Sequence, residues 1–342
     1  MAASAAQTAR KIVCKELGSN FRADTSIVPV PPLPTPLKRG TIAVRTTHVA
    51  VNASDVNFTA GKYTPDVQPP FDVGFEAMGE VTHAADDVQH LKPGDAVALT
   101  QFGAFSELLV APAKAAVPLP RADPTLFPLF VSGLTASIAL EKVGEMLPSG
   151  GGQTVLVTAA AGATGQIAVQ LAVAAGHTVI GTCSSAAKAE HLRSLGVHRV
   201  VNYREEDLHT VLKGEFPKGV DIVYESVGGS MFDAAVRNLA THGRLIAGPA
   251  TSRTPWPAML LAKSASVRGF FLNDFADLWA EHMMRLWGMV EAGQLKPGVD
   301  PTPFRGLESV ADAIDFMYDR KNVGKVVVQV AAPTSEASDA KL

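Results

Sequence analysis

Between Gln153 and Gly176 the chain reads as a short apolar run (residues 154–158), a turn of small residues, and then a stretch in which Ile167, Leu171 and Ala174/Ala175 recur at helical spacing. This predicts a strand, a tight turn and a helix from Thr164 onward, and a second apolar run at 177–182 follows at the distance a strand–helix–strand unit requires. The alternation continues from about Pro124. A helix is expected over 125–143, and strands near 154–158, 178–182, 198–201, 219–225, 243–247 and 267–272 with helical segments in the gaps. Six such strands match the two halves of a doubly wound parallel α/β sheet. Before residue 125 the pattern differs: short β-like runs at 41–53, 78–82, 95–99 and 104–110 are separated by Pro and Gly clusters, with 27–36 an extended Pro-rich connector. After Asn273 come a long helix with Leu278, His282, Leu286 and Met289/Val290 on one face, an amphipathic helix over 306–318, and a strand over 325–330. That strand lies too far beyond the sixth to join the parallel sheet, so it is expected to return to the first domain. The expected division is a β-rich domain over 1–125, an α/β domain over 126–272, a return to the first domain over 273–330, and a tail over 331–342.

The turn carries Ala160-x-Gly162-x-x-Gly165, a glycine-spaced dinucleotide fingerprint whose first glycine is alanine. The substitution is tolerable if φ stays negative at Ala160, while Gly162 and Gly165 keep the two roles that most need a missing side chain. Free N–H groups at the helix start are then expected to face phosphates. With 342 residues, 47% of them hydrophobic, the chain has room for two domains and a sizeable core. A formal charge of −3 without a basic cluster argues against nucleic acid as a partner. The two cysteines, Cys14 and Cys183, supply neither a disulfide framework nor a zinc motif and fit a reducing compartment. Residues 150–187 contain no Asp, Glu, Lys or Arg, but Gly162, Gly165 and Gly176 interrupt them, so a buried strand and a covered helix are expected there rather than a membrane span. The N-terminus lacks a signal-type apolar core. The polar tail ends in Ala340-Lys341-Leu342, similar to a Ser-Lys-Leu address, which makes a peroxisomal import receptor the expected partner and the cytoplasm the alternative location.

The second strand decides the cofactor. A carboxylate after it would bind a ribose 2′-hydroxyl, but here it ends in Thr182-Cys-Ser184-Ser, followed by Lys188. Ser184 donates a hydrogen bond and Lys188 supplies a cation, so NADPH is the expected cofactor. A lysine in a helix's first turn opposes the dipole, which favours a ligand as the reason for its presence.

Val51-Asn-Ala-Ser-Asp-Val-Asn57, Gly61-Lys-Tyr63, Pro69-Pro-Phe-Asp-Val-Gly-Phe-Glu76, Val131-Ser-Gly-Leu-Thr135, Asp221-Ile-Val-Tyr-Glu-Ser-Val-Gly-Gly229, Ser264-Ala-Ser-Val-Arg-Gly-Phe-Phe-Leu-Asn273 and Asn322-Val-Gly-Lys325 carry a resemblance that extends over nearly the whole chain. They resemble the zinc-independent quinone oxidoreductase branch of the medium-chain dehydrogenase/reductase superfamily. The resemblance implies a Rossmann domain beside a discontinuous GroES-like domain. It implies a cofactor site with Gly162, Thr164 and Gly165 at the pyrophosphate, Ser184, Lys188 and Tyr203 around the 2′-phosphate and adenosine, and Ser226 and Gly248 after the fourth and fifth strands. Phe270, Phe271 and Leu272 would line the nicotinamide pocket, with Thr135 reaching in, and Asn322 either closes its far side or serves as a turn residue before Gly324.

At the reacting end the polar candidates are Asn52, Ser54 and Tyr63. Asn52 is suited to bond the nicotinamide ribose and Tyr63 to donate to a developing enolate; alternatively Asn52, Ser54 and Asp55 satisfy backbone groups in a turn, and water supplies the α-proton. Zinc enzymes of the superfamily place a cysteine where Asn52 stands and Gly-His-Glu where Gly74-Phe75-Glu76 stands, so no metal is expected. The implied activity is hydride transfer from NADPH to the β-carbon of α,β-unsaturated ketones, 15-oxoprostaglandins among them. The alternatives are quinone reduction and a non-catalytic NADPH-binding role. The segment 248–256 is short and Pro-rich beside the substrate, so no particular alkyl tail is assumed; the oligomeric state is not readable from the sequence, and a homodimer through the sixth strand is an arrangement the resemblance allows.

Overall fold

The computed structural model describes residues 8–64, 66–248 and 257–331. They form two compact units, one from the described residues up to Phe127 together with those from Val299 onward, the other from Pro128–Gly298.

The second unit is built on a six-stranded parallel sheet of Thr154–Val157, Thr178–Cys183, Arg199–Asn202, Val220–Glu225, Leu239–Ala247 and Ser266–Gly269. In space they lie in the order third, second, first, fourth, fifth, sixth, so the order reverses between Thr154–Val157 and Val220–Glu225. Ligands of open α/β sheets bind beyond the strand carboxyl ends at such a reversal. Val155, Leu156 and Val157 are fully buried because helices cover a parallel sheet on both faces, which is why these strands read as continuous apolar runs.

The predicted helix over 125–143 is three pieces, a 3₁₀ turn Pro124–Leu129, an α-helix Val131–Ile138 and a π turn Ala139–Val143. Pro128, which lacks an N–H, sits in the first piece. This segment is apolar and long enough to cross a membrane by length and composition, and 72% of its apolar window is packed inside the protein. The sixth strand stops at Gly269, so Phe270 and Phe271 fall in the connection to a 3₁₀ turn, Leu272–Leu278, which Leu272 opens, rather than in the strand. The chain returns to the first unit at Val299 and not at Asn273. The helix Trp279–Glu291 stays with the second unit because its buried Leu286 meets Gly133 of Val131–Ile138, where an added Cβ would lie 3.1 Å from Leu286 Cδ1. Between the same helices Ser137 Oγ lies 2.8 Å from the buried His282 Nδ1, and Arg285 reaches both Ser137 Oγ, at 2.6 Å, and Glu141.

In the first unit the central strand Thr41–Ala50 pairs antiparallel with Glu76–Ala84, Leu108–Pro112 and Val327–Gln329, the last with Val328 opposite Val49. Ile42, Val44, Val49, Val97, Phe105, Ile314 and Val328 fill its core. The run expected as a strand at 104–110 is displaced to Leu108–Pro112, since Phe105 is wholly buried and its N–H bonds Val73 O. Part of the expected connector at 27–36 is a strand, Thr25–Pro29, paired with Arg10–Cys14.

Candidate functional site

The glycine turn joins Thr154–Val157 to the helix Ala163–Ala174. The left-handed residue of the turn is Ala159, at φ 46°, and not Ala160, so alanine at the first fingerprint position meets its condition. Ala160 N–H bonds Thr182 O at 3.0 Å and Gly162 N–H bonds Ala159 O at 2.9 Å. A Cβ on Gly165 would lie 2.4 Å from Ala159 O and 2.7 Å from Ala160 Cα, so the helix start packs directly on the turn backbone. Gly162 caps the helix in extended conformation with no side-chain bond, and the first bond back to it comes from Gln166. The N–H groups of Ala163, Thr164 and Gly165 come before that bond, and helix geometry gives them no i−4 partner. A cradle of this kind fits a pyrophosphate.

At the neighbouring strand end Ser184 is buried, and Ser185 caps Ala186–Ser194 with Oγ accepting from Lys188 N–H at 3.3 Å. Tyr203 N–H bonds Cys183 O at 3.1 Å, so Ser184, Lys188 and Tyr203 are gathered at the carboxyl ends of the second and third strands. Across the order reversal Ser226 N–H donates to Thr158 Oγ1 at 2.9 Å, and Gly248 N–H to Glu225 O at 3.0 Å. Glu225 Oε1 accepts from Val227 and Gly228 N–H, both at 2.9 Å, and burial pushes its carboxyl upward in pKa. That carboxyl holds the turn that carries Ser226. Phe270 stacks on Phe275 with centroids 5.3 Å apart, Phe271 is exposed, and Leu272 O accepts from Trp279 Nε1 at 3.2 Å. Thr135 is half-buried on Val131–Ile138. Asn322 spends its Nδ2 on Gly324 O at 2.8 Å, the geometry of a turn residue. Residues 249–256 and the terminal Ala340, Lys341 and Leu342 lie outside the described residues.

In the first unit the reacting-end candidates surround the helix Ala53–Thr59. Asn52 is buried, with Oδ1 accepting from Lys325 Nζ at 2.6 Å and Nδ2 donating to Glu76 Oε2 at 2.9 Å. Lys325 also pairs with Glu76, and both are out of contact with solvent. The amide is therefore held inside the domain, as part of an ion-pair assembly. Asp55 accepts the Asn52 N–H at 2.7 Å on Oδ2, as expected of a turn residue. Its carboxyl is nonetheless pushed up to about 8 by burial, although the Asn52 N–H and Lys325 pull it down. Asn57 Nδ2 donates to Tyr63 Oη at 3.2 Å, while Lys62 Nζ holds Asn57 Oδ1 at 3.1 Å. Burial raises the Tyr63 phenol. Sequence reasoning missed Glu76 and Lys325 as a pair. The available signal was a charged residue at the mouth of each of two apolar strands, Glu76 before Ala77-Met78 and Lys325 before Val326-Val327-Val328.

Residues 38–121 match the Alcohol dehydrogenase GroES-like domain family, and residues 163–287 the Zinc-binding dehydrogenase family. Prostaglandin reductase-3 of Mus musculus is 45% identical, over 96% of this chain and 91% of that protein. A probable quinone oxidoreductase of Leishmania amazonensis is 46% identical, over 94% of this chain and 98% of its own length. The chain belongs to the medium-chain dehydrogenase/reductase superfamily, in its quinone oxidoreductase and prostaglandin reductase-3 branch. Among solved structures, Escherichia coli quinone oxidoreductase complexed with NADPH superposes with a TM-score of 0.81 at 28% identity, covering 94% of this chain and all but 1% of the other (99%). As a member of this superfamily the chain is an oxidoreductase with the six-stranded Rossmann sheet and a β-rich GroES-like domain.

One of the matching families is named for zinc, and the residues here do not fit that metal. The Asn52 amide is a poor substitute for a thiolate and is already bonded to Lys325 and Glu76. Phe75 contributes no donor atom, and its ring packs in an aromatic cluster 5.6 Å from Phe58 and 5.1 Å from Phe102. An ammonium group paired with Glu76 occupies the surroundings in which a cation would be held.

Proposed function

We propose that this chain is an NADPH-dependent, zinc-free reductase acting on the C=C bond of α,β-unsaturated ketones, with 15-oxoprostaglandins among its substrates. The observation that carries this reading is the buried Asn52–Glu76–Lys325 assembly. With no donor set there for a Lewis acid, the acceptor must stabilise its own charge through conjugation, as enones do. NADPH is supported by the uncapped helix start at Gly162, by Ser184 and Lys188 at the second strand end, and by the NADPH complex of the Escherichia coli neighbour. When bound it supplies the hydride. The helix start holds the pyrophosphate, Ser184, Lys188 and Tyr203 the 2′-phosphate end, and the turn braced by Glu225 presents Ser226 to the ribose. Quinone reduction is the second reading, favoured by the 46% identical quinone oxidoreductase relative.

The deciding experiment is NADPH oxidation by the purified protein with enones, 15-oxoprostaglandins, quinones and simple alcohols, the products identified by mass. A saturated ketone supports the first reading, turnover of quinones alone moves the second ahead, and cofactor binding without turnover points to a non-catalytic role. Lys188→Glu should weaken NADPH about 10- to 100-fold and leave NADH unchanged, since one charge-assisted contact is replaced by repulsion. Equal NADPH affinity in the variant removes Lys188 from the 2′-phosphate site. We also propose a peroxisomal location, read from Ala340-Lys341-Leu342: deleting Lys341 and Leu342 should leave a fluorescent fusion in the cytosol, and unaltered import rejects the signal.

A further inference from the structure

Four phenylalanines from four separate parts of the first unit meet in one cluster. Phe58 lies in the helix Ala53–Thr59, Phe71 in the short strand Phe71–Asp72, Phe75 just before the strand Glu76–Ala84, and Phe102 two residues after the strand Ala96–Thr100. Ring centroids are 4.9 Å apart for Phe58 and Phe71, 4.8 Å for Phe58 and Phe102, and 5.1 Å for Phe75 and Phe102. Phe58 is buried and Phe71 and Phe75 are half-buried, but Phe102 keeps 52% of its surface exposed. The backbone fixes that ring's direction. Gln101 N–H bonds Phe75 O at 2.9 Å and Ala104 N–H bonds Gly74 O at 3.3 Å, which ties together the segments carrying Phe75 and Phe102. Gly74 and Gly103, at φ 95° and 83°, make the turns beside the two rings, and a Cβ on Gly74 would lie 2.6 Å from Phe105 N. An apolar ring held outward on such a frame forgoes the gain of burial unless something covers it.

The cluster adjoins the reacting-end residues through its own chain neighbours. Phe75 precedes Glu76, whose Oε2 accepts from Asn52 Nδ2 at 2.9 Å, and Phe58 follows Asn57, whose Nδ2 donates to Tyr63 Oη at 3.2 Å. Size then selects the occupant. A phenylalanine ring offers at most about 150–250 Å², far short of the roughly 800 Å² that each side of a protein interface buries, but matched to one planar group of a small molecule. We propose that Phe102 is a specificity-determining residue of the reduction, its ring and the neighbouring Phe75 forming a platform for a flat, unsaturated substituent of the enone. The inference rests on the reductase reading above and narrows its substrate class to enones whose conjugation continues into an aryl or polyene group. Such a group stacks on the exposed face of Phe102 or meets it edge-on, as the four rings meet one another, and gains the ring–ring attraction in addition to the area it buries. A saturated alkyl chain on the same platform gains the area alone.

The test compares kcat/KM of the full chain, saturated with NADPH, for benzylideneacetone and for the straight-chain methyl enone of the same carbon number. The quantity read is the change in the aryl-to-alkyl ratio on substitution, in which the intrinsic reactivity of each enone cancels. Phe102→Leu keeps an apolar group and removes the π face, so the ratio should fall about 2- to 10-fold, through KM rather than kcat, with the melting temperature and NADPH affinity held. Phe102→Trp keeps a ring and should hold the ratio at or above that of the unaltered protein. Equal losses for both enones in Phe102→Leu overturn the proposal, because the ring then acts only as bulk. A ratio indifferent to residue 102 overturns it as well, because the ring then lies outside the substrate site. Should Phe102→Leu not fold, Phe102→Trp decides alone: a ratio lowered to that of an aliphatic site rejects the platform, and a ratio held or raised with the fold intact supports it. Absence of turnover of either enone by the unaltered chain fails the reductase reading and this inference with it, a result distinct from turnover with an unmoved ratio.

Discussion

Lys325→Ala is expected to destabilise the first unit by about 3–5 kcal/mol, the cost of leaving a buried carboxylate without its cation. Glu76 is 1% exposed and Lys325 0%, so water cannot replace the lost partner. The damage should also spread, because Lys325 holds Asn52 Oδ1 at 2.6 Å and Asn52 starts the helix that carries Asp55 and Asn57. Amide hydrogen exchange reads the effect by element: protection should fall in Thr41–Ala50 and Glu76–Ala84 and persist in the parallel sheet of the other unit. The double variant Lys325→Met/Glu76→Leu should recover most of the loss, since well-packed apolar groups of similar volume replace a buried ion pair at little cost. If Lys325→Ala melts like the unaltered protein, the pair is not structurally coupled as its burial implies.

How far the sequence could be read depended on the range of the interaction behind each feature. Alternating strand and helix patterns located all six strands of the parallel sheet, because a strand buried on both faces must be apolar throughout, as at Val155–Val157 and Val179–Ile180. Boundaries set by packing across the chain were less legible. The helix Trp279–Glu291 belongs to the second unit through Leu286 on Gly133, a contact between residues 153 positions apart that no local periodicity encodes. Of the site, the glycine turn and the segment from Ser184 to Lys188 are local and legible in order along the chain. The Asn52–Glu76–Lys325 assembly spans 273 positions and is brought together only by the pairing of Val327–Gln329 with Thr41–Ala50. Asn52 is legible in the sequence as a polar candidate, but its bonds to Glu76 and Lys325 are not, while Asp55 beside it accepts the Asn52 N–H as a turn former does.

The two glycines of the turn should fail in different ways. In Gly165→Ala the new methyl would meet Ala159 O at 2.4 Å, Ala160 Cα at 2.7 Å and Ala160 O at 2.8 Å. All three are backbone atoms, and Ala159 already holds a left-handed φ of 46°, so the turn has no inexpensive way to give. Overpacking of this kind costs about 1–3 kcal/mol or more, and the displaced helix start should lower NADPH affinity at least about 100-fold. Gly162→Ala meets only Ala159 O, at 3.2 Å, and its φ of −79° suits any residue. It should fold with a loss of no more than about 1 kcal/mol, the usual penalty for alanine at a helix cap. Its methyl would instead stand between the helix N–H groups and a bound phosphate. Calorimetric titration with NADPH, alongside thermal melts, separates the two: Gly162→Ala should melt almost normally yet bind weakly, whereas Gly165→Ala should lose both properties. Should Gly162→Ala bind NADPH as tightly as the unaltered chain, the pyrophosphate does not lie on this turn, and the uncapped helix start would need another explanation.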